Sequence, residues 1–159
     1  MFLRVLVAFL VLPGMAAGVI PFVLSTFDPF KGDGNMLGLV VLVLGFSILM
    51  WCVRDFYVSG KGTLAPWDPP EKIVIIGLYR YVRNPMYVGV LFILLGWAIV
   101  AASPLVFGYA LILYMAFHIR VIISEEPWAE RTFGSEWIAY KSNVPRWLPR
   151  FKGYNPRTR

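Results

Sequence analysis

Residues 77–89, GLYRYVRNPMYVG, carry the chain from a basic, aromatic loop straight into a long apolar run. Charge ends at Arg83. Asn84 followed by Pro85 then reads as the N-cap and first residue of a helix. This helix starts at a water boundary and runs into hydrocarbon. Arg80 and Arg83 are three apart, so they share a face in any helical turn. The first free N–H groups of the helix point back toward them, and together they describe a place for an anion such as a carboxylate.

Apolar runs recur on both sides of this boundary. Of 159 residues, 58% are hydrophobic and 15% charged, whereas a water-soluble domain carries roughly a quarter charged residues. The chain reads as all-α and polytopic, one domain over 1–159, with crossings at about 3–24, 36–53, 85–102 and 105–123. Residues 3–24 are apolar apart from Arg4, and Pro13 and Gly14 interrupt them. A cleaved signal peptide is the rival reading, with Ala16 and Ala17 near the cleavage point. The apolar residues continue to Leu24, which favours a retained helix. Only Ala102, Ser103 and Pro104 separate the last two runs, so these form an antiparallel hairpin. Gly89, Gly96 and Gly108 offer places for close helix approach.

Net charge is +6, and its distribution speaks for a membrane rather than nucleic acid. The loop 54–84 holds Arg54, Lys61, Lys72, Arg80 and Arg83, and the tail 124–159 holds Arg131, Lys141, Arg146, Arg150, Lys152, Arg157 and Arg159. The connection between the first two runs has Lys31 alone. An even number of crossings and the positive-inside rule put both termini, the loop and the tail in the cytoplasm. A prokaryotic inner (plasma) membrane is the expected location. Cys52 is the sole cysteine and His118 the sole histidine, so neither an internal disulfide nor a Cys- or His-rich metal site is expected. Gly60-Lys61-Gly62-Thr63 lacks the first glycine and the preceding strand of a phosphate loop.

The fourth run ends in HIRVIISEEPWAERTFGSEWIAYKSNVPRWLP. On a 3.6-residue helix Tyr114, His118 and Glu125 fall close to one stripe, while Arg120 lies roughly 140° from Glu125. The spacing predicts that Arg120 does not pair with Glu125. Pro127 predicts a helix break at Glu126. Phe133, Trp137 and Tyr140, at i, i+4 and i+7, form the stripe of a helix lying against something apolar. Gly134 and Ser135 read as the end of one helix and the N-cap of the next. The tail would then be a helical cover over the membrane face.

These two blocks together resemble the isoprenylcysteine carboxyl methyltransferase and phospholipid methyltransferase superfamily of integral membrane enzymes. Gly77, Tyr79, Arg83, Pro85 and Tyr87 stand where those enzymes carry Gly-x-Tyr and Arg-His-Pro-x-Tyr. The second block matches at Glu125, Glu126, Phe133, Gly134, Tyr140, Val144, Pro145, Arg146 and Pro149. Three positions depart: the family histidine is Asn84, which hydrogen-bonds but carries no proton or positive charge at neutral pH, Pro127 stands where a helix former is usual, and Trp137 stands where tyrosine is common.

The resemblance implies S-adenosylmethionine as cofactor and a lipid-like or prenylated carboxylate or amine as acceptor. It places Asn84, Pro85, Met86, Tyr87 and one glutamate at cofactor-contacting positions, with the lead-in residues Glu71, Lys72, Ile73 and Val74. Side-chain chemistry fits such a donor. Tyr79 and Tyr87 offer faces to a sulfonium, Arg83 and the helix N-terminus suit a carboxylate, and Glu125 or Glu126 can accept from an amino group. The candidate catalytic residues are Arg83, Arg120, Glu125 and Glu126, and the candidate substrate contacts are Arg120, His118 and Arg146. Partners would be the bilayer and an amphiphilic substrate, with no nucleic acid and no metal. Two other readings stand beside this one: an NADPH-dependent sterol-reductase-like enzyme on the same scaffold, and a non-catalytic membrane module, which Asn84 in place of histidine would suit.

Overall fold

A computed structural model describes residues 10–59 and 72–156. Glu71 and the 60–63 loop lie outside the described residues, as do Arg4, Arg157 and Arg159. Every regular element among the described residues is helical. A π-helical stretch, Leu10–Val19, leads into α1, Ile20–Thr26. α2 is Leu37–Ser59, a short 3-10 turn covers Gly77–Arg80, and α3 is Pro85–Val100. α4, Pro104–Arg120, passes through a π turn at Val121–Glu125 into α5, Glu126–Phe133, and α6 is Ser135–Asn143.

Among the described residues, two helices are long and apolar enough to cross a membrane: Leu37–Asp55 and the continuous Pro104–Phe133. Two shorter apolar helices, Gly14–Thr26 and Pro85–Val100, lie beside them. At 1.5 Å per residue the 30-residue helix measures about 45 Å, against ~30 Å of hydrocarbon. It is therefore longer than such a layer is thick, and its turns from Ser124 on are polar.

Glycine sets the closest contact, between α2 and α3. A Cβ at Gly45 would sit 2.6 Å from the Ile93 amide nitrogen, and one at Gly96 would sit 2.6 Å from Leu42. Gly89 and Gly96 thus allow the approach expected of them, and Gly38 and Gly45 are their partners on α2. Gly108 does not take part, because nothing lies within 4 Å of the Cβ it lacks. Leu49, Val90, Ile93 and Leu94 fill the core below this contact.

The end of the bundle away from residues 77–89 is closed by polar bonds. The hairpin between α3 and α4 turns at Ala102, whose φ is +43°, and Ser103 caps α4 by accepting from the Val106 N–H. Asp28, buried in the connection after α1, accepts from the Ser103 hydroxyl and from the Leu105 N–H. Gly32 and Asn35 donate their N–H groups to the carbonyls of Ala102 and Ile99. All of these contacts lie one α3 length from Asn84.

Pro127 does not break the helix. Without an N–H, and with its ring directed at the carbonyl four residues back, proline conflicts with α-helical winding. The chain answers by widening the preceding turn, where the Glu126 N–H donates to Val121 five residues back. The helix then continues to Phe133. Gly134, at φ +55°, ends it and is itself the residue before α6. Ser135 is therefore the first residue of α6, not its cap. This break also splits the expected aromatic stripe: Phe133 packs on Trp128, whereas Trp137 and Tyr140 pack on each other.

Candidate functional site

The entrance of α3 and the exit of α4 meet, and charge does the joining. Glu126 is 7% exposed and receives three cations. Arg146 donates to it through Nε at 2.6 Å and a terminal nitrogen at 3.1 Å, in the bidentate geometry a guanidinium favours. Arg83 donates at 3.0 Å, and the Lys141 ammonium stands 3.8 Å away. Burial opposes ionisation of this carboxyl, but the Arg146 bonds and the charges of Arg83, Arg146 and Lys141 outweigh it and hold Glu126 below the usual glutamate range. Burial and then the Arg146 charge lower Arg83, against the pull of Glu126, and the guanidinium remains charged. Arg146 is raised by its bonds to Glu126.

Glu125 makes a second centre. Its Oε1 accepts from the Tyr87 hydroxyl and from Arg120 Nε, the latter at 2.8 Å. The expectation that Arg120 and Glu125 point apart is wrong for a definite reason. The 140° separation assumes 3.6 residues per turn, whereas Arg120 immediately precedes the π turn and Glu125 ends it, and i→i+5 winding returns residues five apart to one side.

An aromatic group lies beside these carboxylates. Tyr87 stacks on Phe117 with centroids 4.3 Å apart and planes 19° from parallel. Trp147 faces Tyr87, Tyr114 and His118 at 6.4, 5.3 and 6.0 Å, and its indole N–H donates to His118 Nδ1 at 3.0 Å. His118 thus joins the site through the tail.

The tail reaches this place because it is laced to residues 80–84. The Arg83 N–H donates to the Pro145 carbonyl, the Arg150 N–H to Tyr81 and the Tyr154 N–H to Arg80. Asn84 is the N-terminal boundary residue of α3, as expected, but its side chain caps nothing. Its amide donates instead to the Arg146 carbonyl at 3.2 Å. Arg80 and Arg83 do not share a site either. The 3-10 turn ends at Arg80, whose Nε donates to the Tyr154 carbonyl, while Arg83 turns to Glu126.

Arg83, Asn84, Tyr87, His118, Arg120, Glu125, Glu126 and Arg146 are thus gathered in one region. The other candidates among the described residues face the packed core or solvent instead. Tyr79 is buried with Cys52 and Val74, and its carbonyl accepts from Tyr140. Pro85 is fully buried, and Met86 packs between two core clusters. Residues 73–76 alternate as an extended chain does, Val74 and Ile76 toward Cys52, Ile73 and Ile75 toward Tyr140 and Val144. Lys72 is exposed. Trp147, Phe117 and Lys141 are absent from the sequence-based candidates. Phe117 had a signal, since Tyr114, Phe117 and His118 fall at i, i+3 and i+4, but Trp147 lies in an irregular segment with no period to mark it.

Among the described residues, two buried donors stand without an acceptor: Arg83 Nε and Trp137 Nε1. The Arg83 guanidinium carbon lies 5.8 Å from the Trp137 ring centroid. Glu125 Oε2 likewise has no partner among the described residues, since Oε1 takes both bonds. The region therefore presents unused donors, an unused acceptor and aromatic faces, a set suited to holding a charged small molecule.

The family model for phospholipid methyltransferases matches residues 34–136, which includes both glutamates and the α3 entrance. Over 122 residues the chain is 35% identical to the protein-S-isoprenylcysteine O-methyltransferase of Xenopus laevis, covering 75% of this chain and 42% of that relative. Over 82 residues it is 34% identical to the Homo sapiens protein of the same name, covering 51% of this chain and 28% of that one. The chain thus spans less than half the length of these curated relatives. No solved structure matches it.

Proposed function

The chain belongs to the phospholipid methyltransferase family, and from that premise we propose that it is a membrane methyltransferase using S-adenosylmethionine to methylate a carboxylate or amine on a lipid-like or prenylated acceptor. The observation that carries this reading is the pairing of adjacent glutamates with the α3 entrance: Tyr87 on Glu125 and Arg83 on Glu126.

The residues present fit the donor. Arg83 Nε and Trp137 Nε1 are buried donors lacking an acceptor, which a carboxylate would supply. Glu125 Oε2 can accept from an amino group. Tyr87, Tyr114 and Trp147 offer aromatic faces to a cation. When bound, the donor supplies a methyl group already activated on a sulfonium. Tyr87 and Glu125 would hold it, while the Glu126 ion cluster fixes Arg83 and the tail. Trp147 and Phe117 would keep water from the site. An in-line displacement at an activated carbon needs positioning and a dry pocket above all; a carboxylate acceptor already has the attacking lone pair, and an amine acceptor has it once its ammonium proton has passed to water. Arg120, 44% exposed on its side chain, is where an anionic acceptor headgroup would be received, and His118 and Arg146 border that position.

Four crossings, with both termini and the α3 entrance on the cytosolic face, complete the proposal. The charge asymmetry between the loop and tail on one side and Lys31 on the other supports this orientation. Titration calorimetry of the purified protein in nanodiscs tests the class. Expected are saturable binding of S-adenosylmethionine and its loss in Glu126→Gln. No binding to the unaltered protein would overturn the reading.

A further inference from the structure

The segment 145–154 is a strap, not a loose tail. Its backbone or side-chain bonds to Arg80, Tyr81, Arg83 and Asn84 fix it along the entrance of α3. Yet it leaves Leu148 78% exposed and Phe151 fully exposed. Holding two large apolar side chains bare on a fixed backbone is costly in water, and single exposed residues become informative when their surroundings say what covers them.

Depth and charge say so here. Trp147 contacts His118 and Tyr114. His118 lies five residues, about 8 Å, inside the end of the apolar run at Ile123. Trp147 also faces Tyr87, two residues into α3, so it is seated just inside the boundary between acyl chains and headgroups, and Leu148 is the next residue. From Trp137 to Arg159 the chain has no acidic residue but has Lys141, Arg146, Arg150, Lys152, Arg157 and Arg159. Lys152, beside Phe151, is exposed. Bare apolar side chains next to basic ones at headgroup depth are the composition of an interfacial anchor.

We propose that the strap docks on the leaflet that surrounds the candidate site, with Leu148 and Phe151 inserted among the acyl chains and Lys152 on anionic headgroups. The partner is a lipid surface. Because Trp147 belongs to the same strap, docking sets the depth at which the aromatic group meets an amphiphilic acceptor. This inference rests on the membrane reading above but not on methyl transfer.

Site-directed spin labelling of the full chain in nanodiscs tests it, with labels at Leu148→Cys, Phe151→Cys and Ser142→Cys. Cys52 is fully buried and stays unlabelled. Ser142 lies about 200° around α6 from the buried Tyr140, on the side away from the strap. At 148 and 151 the expected result is frequent collision with oxygen and loss of collision with a polar nickel chelate, with the reverse at 142. Nickel access at 148 and 151 equal to that at 142 would overturn the proposal. So would shielding accompanied by dipolar broadening that grows with copies per disc, which would assign the surface to a second copy. Replacing part of the phosphatidylcholine by phosphatidylglycerol should deepen label 151, and Lys152→Gln should abolish that response. A depth indifferent to lipid charge would overturn the headgroup contact. These readouts need no methyl donor, so the strap can fail while donor binding stands, and the converse.

Discussion

Glu126 is the residue on which the site converges, because one carboxylate ties three separate segments: Arg83 before α3, Lys141 in α6 and Arg146 in the strap. Replacing it by glutamine leaves Arg83 buried without its counter-charge. Removing one partner of a buried pair is strongly destabilising, and a cost of roughly 2 kcal/mol is expected after allowance for the exposed part of the network. Thermal melting in detergent reads this cost. The same carboxyl gives the molecule an acid limit. Its folded-state value lies below the ordinary 4.5, so its contribution is present in full above that ordinary value and is lost as pH falls through the lowered one. Strap release, followed by Trp147 fluorescence, should therefore begin below about pH 4.5 and should lose this pH dependence in Glu126→Gln. Trp147→Phe keeps the aromatic wall but deletes the bond to His118. It should bind donor nearly as well as the unaltered protein, whereas Trp147→Ala should weaken binding clearly in calorimetry. Equal losses in both variants would mean that the hydrogen bond, not the ring, holds the wall.

At the level of elements, the π turn Val121–Glu125 decides which way two glutamates face. Pro127→Ala restores an N–H and removes the ring clash, so the turn is free to relax to α-helical winding. The prediction is opposed in sign: helix stability rises while ligand affinity falls, because Glu125 turns from Arg120 and the following residues rotate away from Arg83. Melting and calorimetry on the same sample separate the two effects, and unchanged affinity would show that tertiary contacts hold the turn without proline. The glycine contact of α2 with α3 makes the complementary case. Gly45→Val would place side-chain carbons where the Ile93 amide and Gly89 carbonyl lie within 2.8 Å of an added Cβ. It should lower stability by about 3 kcal/mol or more, since neither backbone can retreat without breaking the packing beneath it.

For the molecule as a whole, polarity is divided between two ends. One end is closed by Asp28, Ser103 and the hairpin turn, and the other carries the ion cluster, the aromatic group and the strap. Cysteine accessibility in oriented vesicles checks the proposed orientation: a label at Ser142 should react only with reagent on the cytosolic side, and one at Lys31 only from the opposite side. Labelling of both from one side would refute the even number of crossings. The buried Cys52 thiol should remain silent from either side.

The sequence by itself determined the helical class, the apolar runs, the α3–α4 hairpin, and the two blocks whose residues meet. Each of these follows from local pattern: uncharged length, a three-residue link, Asn-Pro at a boundary, adjacent glutamates after an apolar helix. Tertiary structure decided how they meet. Arg120 reaches Glu125 because Pro127 is accommodated by a wider turn rather than a break, which no fixed helical period predicts. Asn84 donates across to the strap instead of capping its own helix, and Tyr79 turns into the core, because the strap occupies the α3 entrance and α6 packs over the 3-10 turn. Trp147 enters the site from a segment with no periodicity at all. Its position is fixed by bonds to residues more than sixty places earlier in the chain, and only folding brings such distant groups within reach.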